Sequence, residues 1–199
     1  MLAVAAAVVL ALGTAPALAQ RAERPQVRAG DRWEFAVYYT VPATAPNRTW
    51  VVSAVTPERI EGTENGEPLL LTADLNVVDS PREQSSNPTL LRFPLEVGRH
   101  WSFASDYLFK PKRSRGRTVT DVIVVAHERV AVAAGEFDAF KLEAKGHLSG
   151  TSPIGSRIDA ETFLTYWYSP AARAIVKSVY HNPYLGPSNV ELVAFELEP

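Results

Sequence analysis

The side chains able to do chemistry in this chain are scattered. Its histidines, His100, His127, His147 and His181, stand alone: none has a second histidine or a carboxylate at a convincing metal-binding spacing, and no His-Glu-x-x-His occurs. There is no cysteine, which removes disulfides, thiol catalysis, thiolate metal sites and a lipid-modified cysteine. A Gly-x-Ser-x-Gly elbow, a P-loop and a dinucleotide fingerprint are also missing. Carboxylates are plentiful, but a catalytic pair is defined in space rather than along the chain. Glu161, just ahead of an aromatic strand, is the one acid that stands out. The expectation is a protein that is not an enzyme, with no catalytic residue, no metal and no cofactor.

Aromatic residues offer more. The run TYWYSP (165–170) sets Tyr166, Trp167 and Tyr168 in succession, so a strand there shows aromatics on both faces. Aromatics with polar tips suit a ligand cavity, because they supply area and a hydrogen bond together; equally, they can fill a core. With Trp33 and Trp101 they form the candidate ligand-binding set, for an apolar small molecule or a lipid.

A second cluster is electrostatic. KPKRSRGR (110–117) packs Lys110, Lys112, Arg113, Arg115 and Arg117 into eight residues of a chain whose net charge is −2. Pro111, Ser114 and Gly116 make it a loop or hairpin tip. It reads either as a solvated tip or as a contact for an anionic surface or an acidic envelope protein. The overall charge gives no reason to expect nucleic acid. The sequon Asn47-Arg48-Thr49 carries little weight beside a bacterial-looking leader.

The elements that must hold these residues are strands. RWEFAVYYT (32–40) alternates Trp33, Phe35, Val37 and Tyr39 against Glu34, Ala36, Tyr38 and Thr40, the period of a half-buried strand. TWVVSAVT follows, then a hairpin turning at Asn65-Gly66, a pair that tolerates the positive φ of a type I′ turn. LLLTADLNVV is the one weak helix candidate, and DSPREQSSNP (79–88) reads as a polar loop. Beyond it come HWSFASDYLF, the long TVTDVIVVAHERVAV with a bend near Ala126, and FDAFKLEAKGHLSG. Strands should end near Ala133 and restart near Phe137, with Gly135 in the connection. DAETFLTYWYS turns at Pro170 into RAIVKSVYH, and NVELVAFELE ends the chain. The predicted fold is mainly β: a single curved antiparallel sheet or half-open barrel of about ten to eleven strands. One echo crosses it. Gly30-x-x-Trp33-x-Phe35 and Gly98-x-x-Trp101-x-Phe103 share their spacing, and with nothing else in register they read as two strands that each begin after a glycine turn.

Residues 1–19, MLAVAAAVVLALGTAPALA, read as a signal peptide. The apolar run is too short for the roughly 20 residues of a span, and Ala17 and Ala19 fit a small-x-small cleavage site. No Lys or Arg precedes the run, which leaves the start codon open. The expected arrangement is a leader over 1–19 and one β-rich domain over 20–199. That places the mature protein in the periplasm or outside the cell, soluble and without a transmembrane span.

Three segments in order, FPLEVGRHW, ERVAVAAGEFDAFKLEA and YWYSPAARAIVKS, resemble a group of secreted bacterial β-rich domains of unknown function. Such domains are similar in architecture to the lipoprotein carriers LolA and LolB, whose open half-barrel holds acyl chains. The resemblance implies no catalytic residues. It implies a cell-envelope accessory or binding protein with an apolar or lipid-like ligand on the concave face. A protein-interaction module with a filled core is the alternative, and a hydrolase using carboxylates in the cavity a third.

Overall fold

The computed structural model describes residues 20–39, 47–181 and 187–199. The leader over 1–19 lies outside them. The strands run in chain order as β1 (Arg21–Ala22), β2 (Arg32–Tyr39), β3 (Arg48–Val55), β4 (Arg59–Glu64), β5 (Glu67–Thr72), β6 (Val77–Asp79) and β7 (Glu83–Ser85). There follow β8 (Leu95–Glu96), β9 (His100–Phe109), β10 (Ser114–Val132), β11 (Gly135–Thr151), β12 (Arg157–Ser169), β13 (Ala174–His181) and β14 (Ser188–Glu196). β1 pairs only with β8; the other twelve close an antiparallel barrel in the order β10-β11-β12-β13-β14-β2-β3-β4-β5-β6-β7-β9.

Closure corrects the half-open sheet of ten to eleven strands. It is made by β7, three residues inside the segment expected to be a loop. β7 pairs Glu83 with Phe109 and Ser85 with Tyr107 on β9, and β9 pairs in turn with β10. Three residues are too few to show an alternation, and their partner lies far along the chain, so pattern alone could not find the last stave. LLLTADLNVV is likewise no helix but β5, a turn and β6.

Other expectations hold. Asn65 and Gly66 take φ of 54° and 87° between β4 and β5, as a type I′ turn requires. β10 carries its bulge between Val124 and Ala126. The β10–β11 turn is tighter than expected: Val132 pairs with Gly135, whose φ is 129°, and Ala133-Ala134 alone make the connection.

The barrel is not hollow throughout. Between β7 and β9 the chain leaves the wall and runs inside as a strap, burying Leu91 and Leu95. Each of three consecutive strap carbonyls accepts a hydrogen bond from a wall side chain. Thr89 O takes one from Trp101 Nε1 at 2.7 Å, Leu90 O one from the Tyr166 hydroxyl, and Leu91 O one from Asn76 Nδ2 at 2.8 Å. Asn76 Oδ1 also accepts from the Leu91 N–H at 2.7 Å. Non-regular backbone in a dry interior must be satisfied in this way, or each orphaned group costs about 1–3 kcal/mol. Asp31, fully buried, gathers the ends of the chain by accepting from Arg28 N, Glu198 N and the Arg173 guanidinium.

Candidate functional site

Beside the strap a cavity of about 170 Å³ remains inside the barrel. It is lined by Trp33, Phe35 and Trp50 from β2 and β3, by Ile175 and Val190 from β13 and β14, and by Leu75, Val77 and Leu91. The polar contributions are Arg48, Arg173 and Ser178. β2 and β3 build the aromatic wall because Trp33 and Trp50 are direct cross-strand partners. Phe35 meets Trp50 edge to face, centroids 5.4 Å apart, the arrangement aromatic pairs prefer.

The cations in the lining differ in their commitments. Arg173 is held by Asp31 at 3.2 Å. The Arg48 guanidinium donates no hydrogen bond and makes no ion pair within 4 Å among the described residues, although its charge acts on Glu83, as does that of Glu64. Glu64 is buried and accepts from Trp50 Nε1 at 3.0 Å. Glu83 is exposed, on the strand face its partner Phe109 shares. Protein surrounds it while water still reaches its carboxylate. Burial raises its pKa, opposed by the charges of Arg48 and Arg82 and assisted by Glu64.

The five aromatic candidates separate. Trp33 lines the cavity, and its Nε1 donates to Ala172 O at 2.7 Å. Trp101 and Tyr166 are buried against the strap. Tyr168 is buried beside them, stacked edge to face on Phe93, with a hydroxyl that finds no partner among the described residues. Burial pushes both tyrosine pKa values well up. Trp167, between them, faces outward, donates to Glu128 at 2.8 Å and lies under Lys141. Sequence reading thus found one cavity residue of the five. It missed Trp50, which sits in a strand it identified, and Arg48, noticed only as the middle of a sequon. No local signal distinguishes a lumen arginine from a surface one.

Of the basic run, Lys110 and Lys112 bound a 3₁₀ turn, Arg113 follows in left-handed conformation at φ 49°, and Arg115 and Arg117 are already on β10. The run is therefore half tip and half strand. Lys110 pairs with Asp79 and Arg117 with Asp106. Glu161 lies on the outer wall, paired with Lys145 at 3.2 Å. No group of three or more His, Cys, Asp or Glu gathers among the described residues as a metal site would need, and no helix there is long and apolar enough to cross a membrane.

No protein-family model matches the sequence, and no curated protein is significantly similar to it. Solved structures do match. One is a Bacteroides fragilis protein inferred to be exported and described as having a YmcC-like fold. It is 14% identical at a TM-score of 0.57, over 88% of this chain and 99% of that one. Another, inferred to be a lipoprotein of Parabacteroides distasonis, is 15% identical at 0.56 with the same coverage. The hypothetical lipoprotein YmcC of Escherichia coli is 10% identical at 0.50, over 85% of each chain. Identities so low carry the architecture and nothing finer: they do not carry the sequence motifs or the likeness to the lipoprotein carriers. In fold, this chain is similar to the YmcC-like proteins.

Proposed function

We propose that the protein is an exported, non-catalytic binder that holds a small amphipathic, lipid-like ligand inside the barrel, apolar part against Trp33, Trp50 and Val190 and anionic group at Arg48. The observation that carries this reading is the pairing of an apolar cavity with a half-buried guanidinium in its wall that no carboxylate contacts within 4 Å among the described residues. Glu83 offsets its charge only from beyond that distance; a half-buried cation is costly unless it is closely neutralised, and an anionic head group would do so.

Size sets the ligand class. A cavity of about 150 Å³ lined by aliphatic and aromatic side chains holds one benzene, and drug-sized pockets begin near 300 Å³. At about 170 Å³ this one suits a short chain or a single ring, not the several acyl chains of a lipoprotein. Closed walls and an internal strap point the same way. Among the described residues the lining includes no carboxylate and no histidine, which favours binding over acid–base chemistry. Export is supported by the composition of residues 1–19 and by the exported or lipoprotein descriptions of the fold's solved relatives.

Octanoate, octanol and benzene tested against tryptophan fluorescence would decide it. Octanoate should bind and octanol should bind more weakly. Arg48→Gln should remove that preference at a cost of about fivefold in octanoate affinity, the loss of roughly 1 kcal/mol. Val190→Phe, which fills the space, should abolish all three responses. No response to any probe, or binding that survives Val190→Phe, would overturn the reading.

A further inference from the structure

The rim where β9 meets β10 carries two neighbouring hairpin tips that the cavity does not explain. The first is the basic one. Among its cations Lys110 and Arg117 are paired with Asp79 and Asp106, but Lys112, Arg113 and Arg115 are exposed and make no ion pair within 4 Å among the described residues. The second tip connects β11 to β12. It is adjacent because β10 and β11 stay paired up to Arg115 opposite Thr151. Ser152 builds this tip: its N–H donates to Ser156 O at 2.9 Å, its carbonyl accepts from Gly155 N at 3.0 Å, and its hydroxyl accepts from Ser156 N at 3.1 Å. At its apex stands Ile154, 89% exposed, the most exposed of the large apolar residues described.

We propose that these two tips dock the barrel on an anionic lipid surface, Lys112, Arg113 and Arg115 meeting head groups while Ile154 enters the interface. Three observations favour a membrane over a protein. The tips are convex and present few side chains, whereas a specific protein interface needs roughly 1,000 Å² of matched surface. A lone aliphatic side chain held out by hydrogen-bonded backbone gains nothing in water but is favourable among acyl chains. And no acid occurs from Tyr107 to Thr120 or from Gly146 to Ile158 in a chain that is net negative, so cations outnumber the acids that flank the first tip, Asp79, neutralised by Lys110, and Glu83. Docking needs nothing from the cavity, so its failure would leave the ligand reading untouched.

Co-sedimentation with phosphatidylcholine vesicles, with and without phosphatidylglycerol, tests the proposal on the full chain, every variant carrying the same N-terminus. The protein should pellet with the anionic vesicles at about 0.1 M salt and be released near 1 M, where the Debye length falls from about 10 Å to about 3 Å. The triple variant Lys112→Gln, Arg113→Gln, Arg115→Gln should bind at least about tenfold more weakly, since each cation close to an anionic membrane contributes roughly fivefold. Ile154→Ser should weaken binding several-fold with the salt dependence kept, and the fluorescence of Ile154→Trp should shift to the blue when anionic vesicles are added. Unchanged melting temperatures will show that the exposed tips fold as before. Equal binding to neutral vesicles, no binding to either, or variants that bind like the parent would each overturn the proposal.

Discussion

Two corners of the barrel are built on one plan and end in different surroundings. At Gly30-x-x-Trp33 the glycine N–H donates to Val52 O at 2.9 Å, Val52 N returns a bond to Asp31 O, and Asp31 N reaches back to Arg28 O. At Gly98-x-x-Trp101 the same three bonds recur: Gly98 N to Val124 O, Val124 N to Arg99 O, and Arg99 N to Glu96 O. Both glycines have positive φ, 100° and 89°, a conformation that costs other L-residues energy. Each tryptophan then donates its indole N–H to a carbonyl in a connecting segment, Ala172 for Trp33 and Thr89 for Trp101. The difference lies in front of the rings. Trp101 meets the strap and a filled interior; Trp33 meets the cavity. One local motif can frame either a filled core or a binding space, depending on which distant chain enters the lumen.

The comparison is broken most severely by removing the rings. Trp101→Ala and Trp33→Ala should each cost about 3–5 kcal/mol in urea unfolding, the range for truncating a large buried aromatic. Only Trp33→Ala should alter the response to octanoate. Equal effects of both variants on binding, at matched stability, would mean the two corners are not functionally distinct.

A narrower cut separates strap from wall. Asn76→Leu strands the N–H and carbonyl of Leu91 in the interior, and at about 1–3 kcal/mol for each orphaned group the expected loss is about 2–6 kcal/mol. Hydrogen exchange at Leu91 should accelerate more than at Trp33. Protection lost equally at both would show that the strap and the β2 corner open as one unit.

The tyrosines sharpen the filled side. Tyr166→Phe deletes the donor to Leu90 O and should destabilise by about 1–2 kcal/mol, while Tyr168→Phe removes a hydroxyl with no partner and should be neutral or slightly stabilising. Thermal melts that rank the pair the other way would relocate the anchoring bond.

The smallest effect belongs to the hollow side. Burial raises the Glu83 pKa in the folded state, so folding favours the protonated form. That contribution is complete below the ordinary glutamate pKa and is lost as pH rises through the raised value. Water at the carboxylate screens part of the burial, so the slope should be shallow. Glu83→Gln should flatten it when urea midpoints at roughly pH 4 and pH 7 are compared; a variant whose stability falls just as steeply over that interval would assign the slope elsewhere.

The sequence by itself determined the longer strands, the corner turns, the type I′ turn at Asn65-Gly66 and the bulge in β10, because each follows from a period or a backbone preference carried by a few adjacent residues. It also determined that Trp33 and Trp101 sit on inner faces. What filled the lumen was decided only by tertiary structure. Thr89, Leu90 and Leu91 follow directly on the segment that reads as a loop, 79–88, and their carbonyls are satisfied by Trp101, Tyr166 and Asn76, an arrangement that exists only once the barrel has closed. Closure itself depends on β7 pairing with β9 across more than twenty residues, a contact no local pattern specifies. The same event turned Tyr166 and Tyr168 from candidate ligand contacts into core and left Arg48 facing a cavity. Faces alternate along a strand by covalent geometry, but whether an inward face meets chain, ligand or water depends on volume, and volume is a property of the assembled barrel.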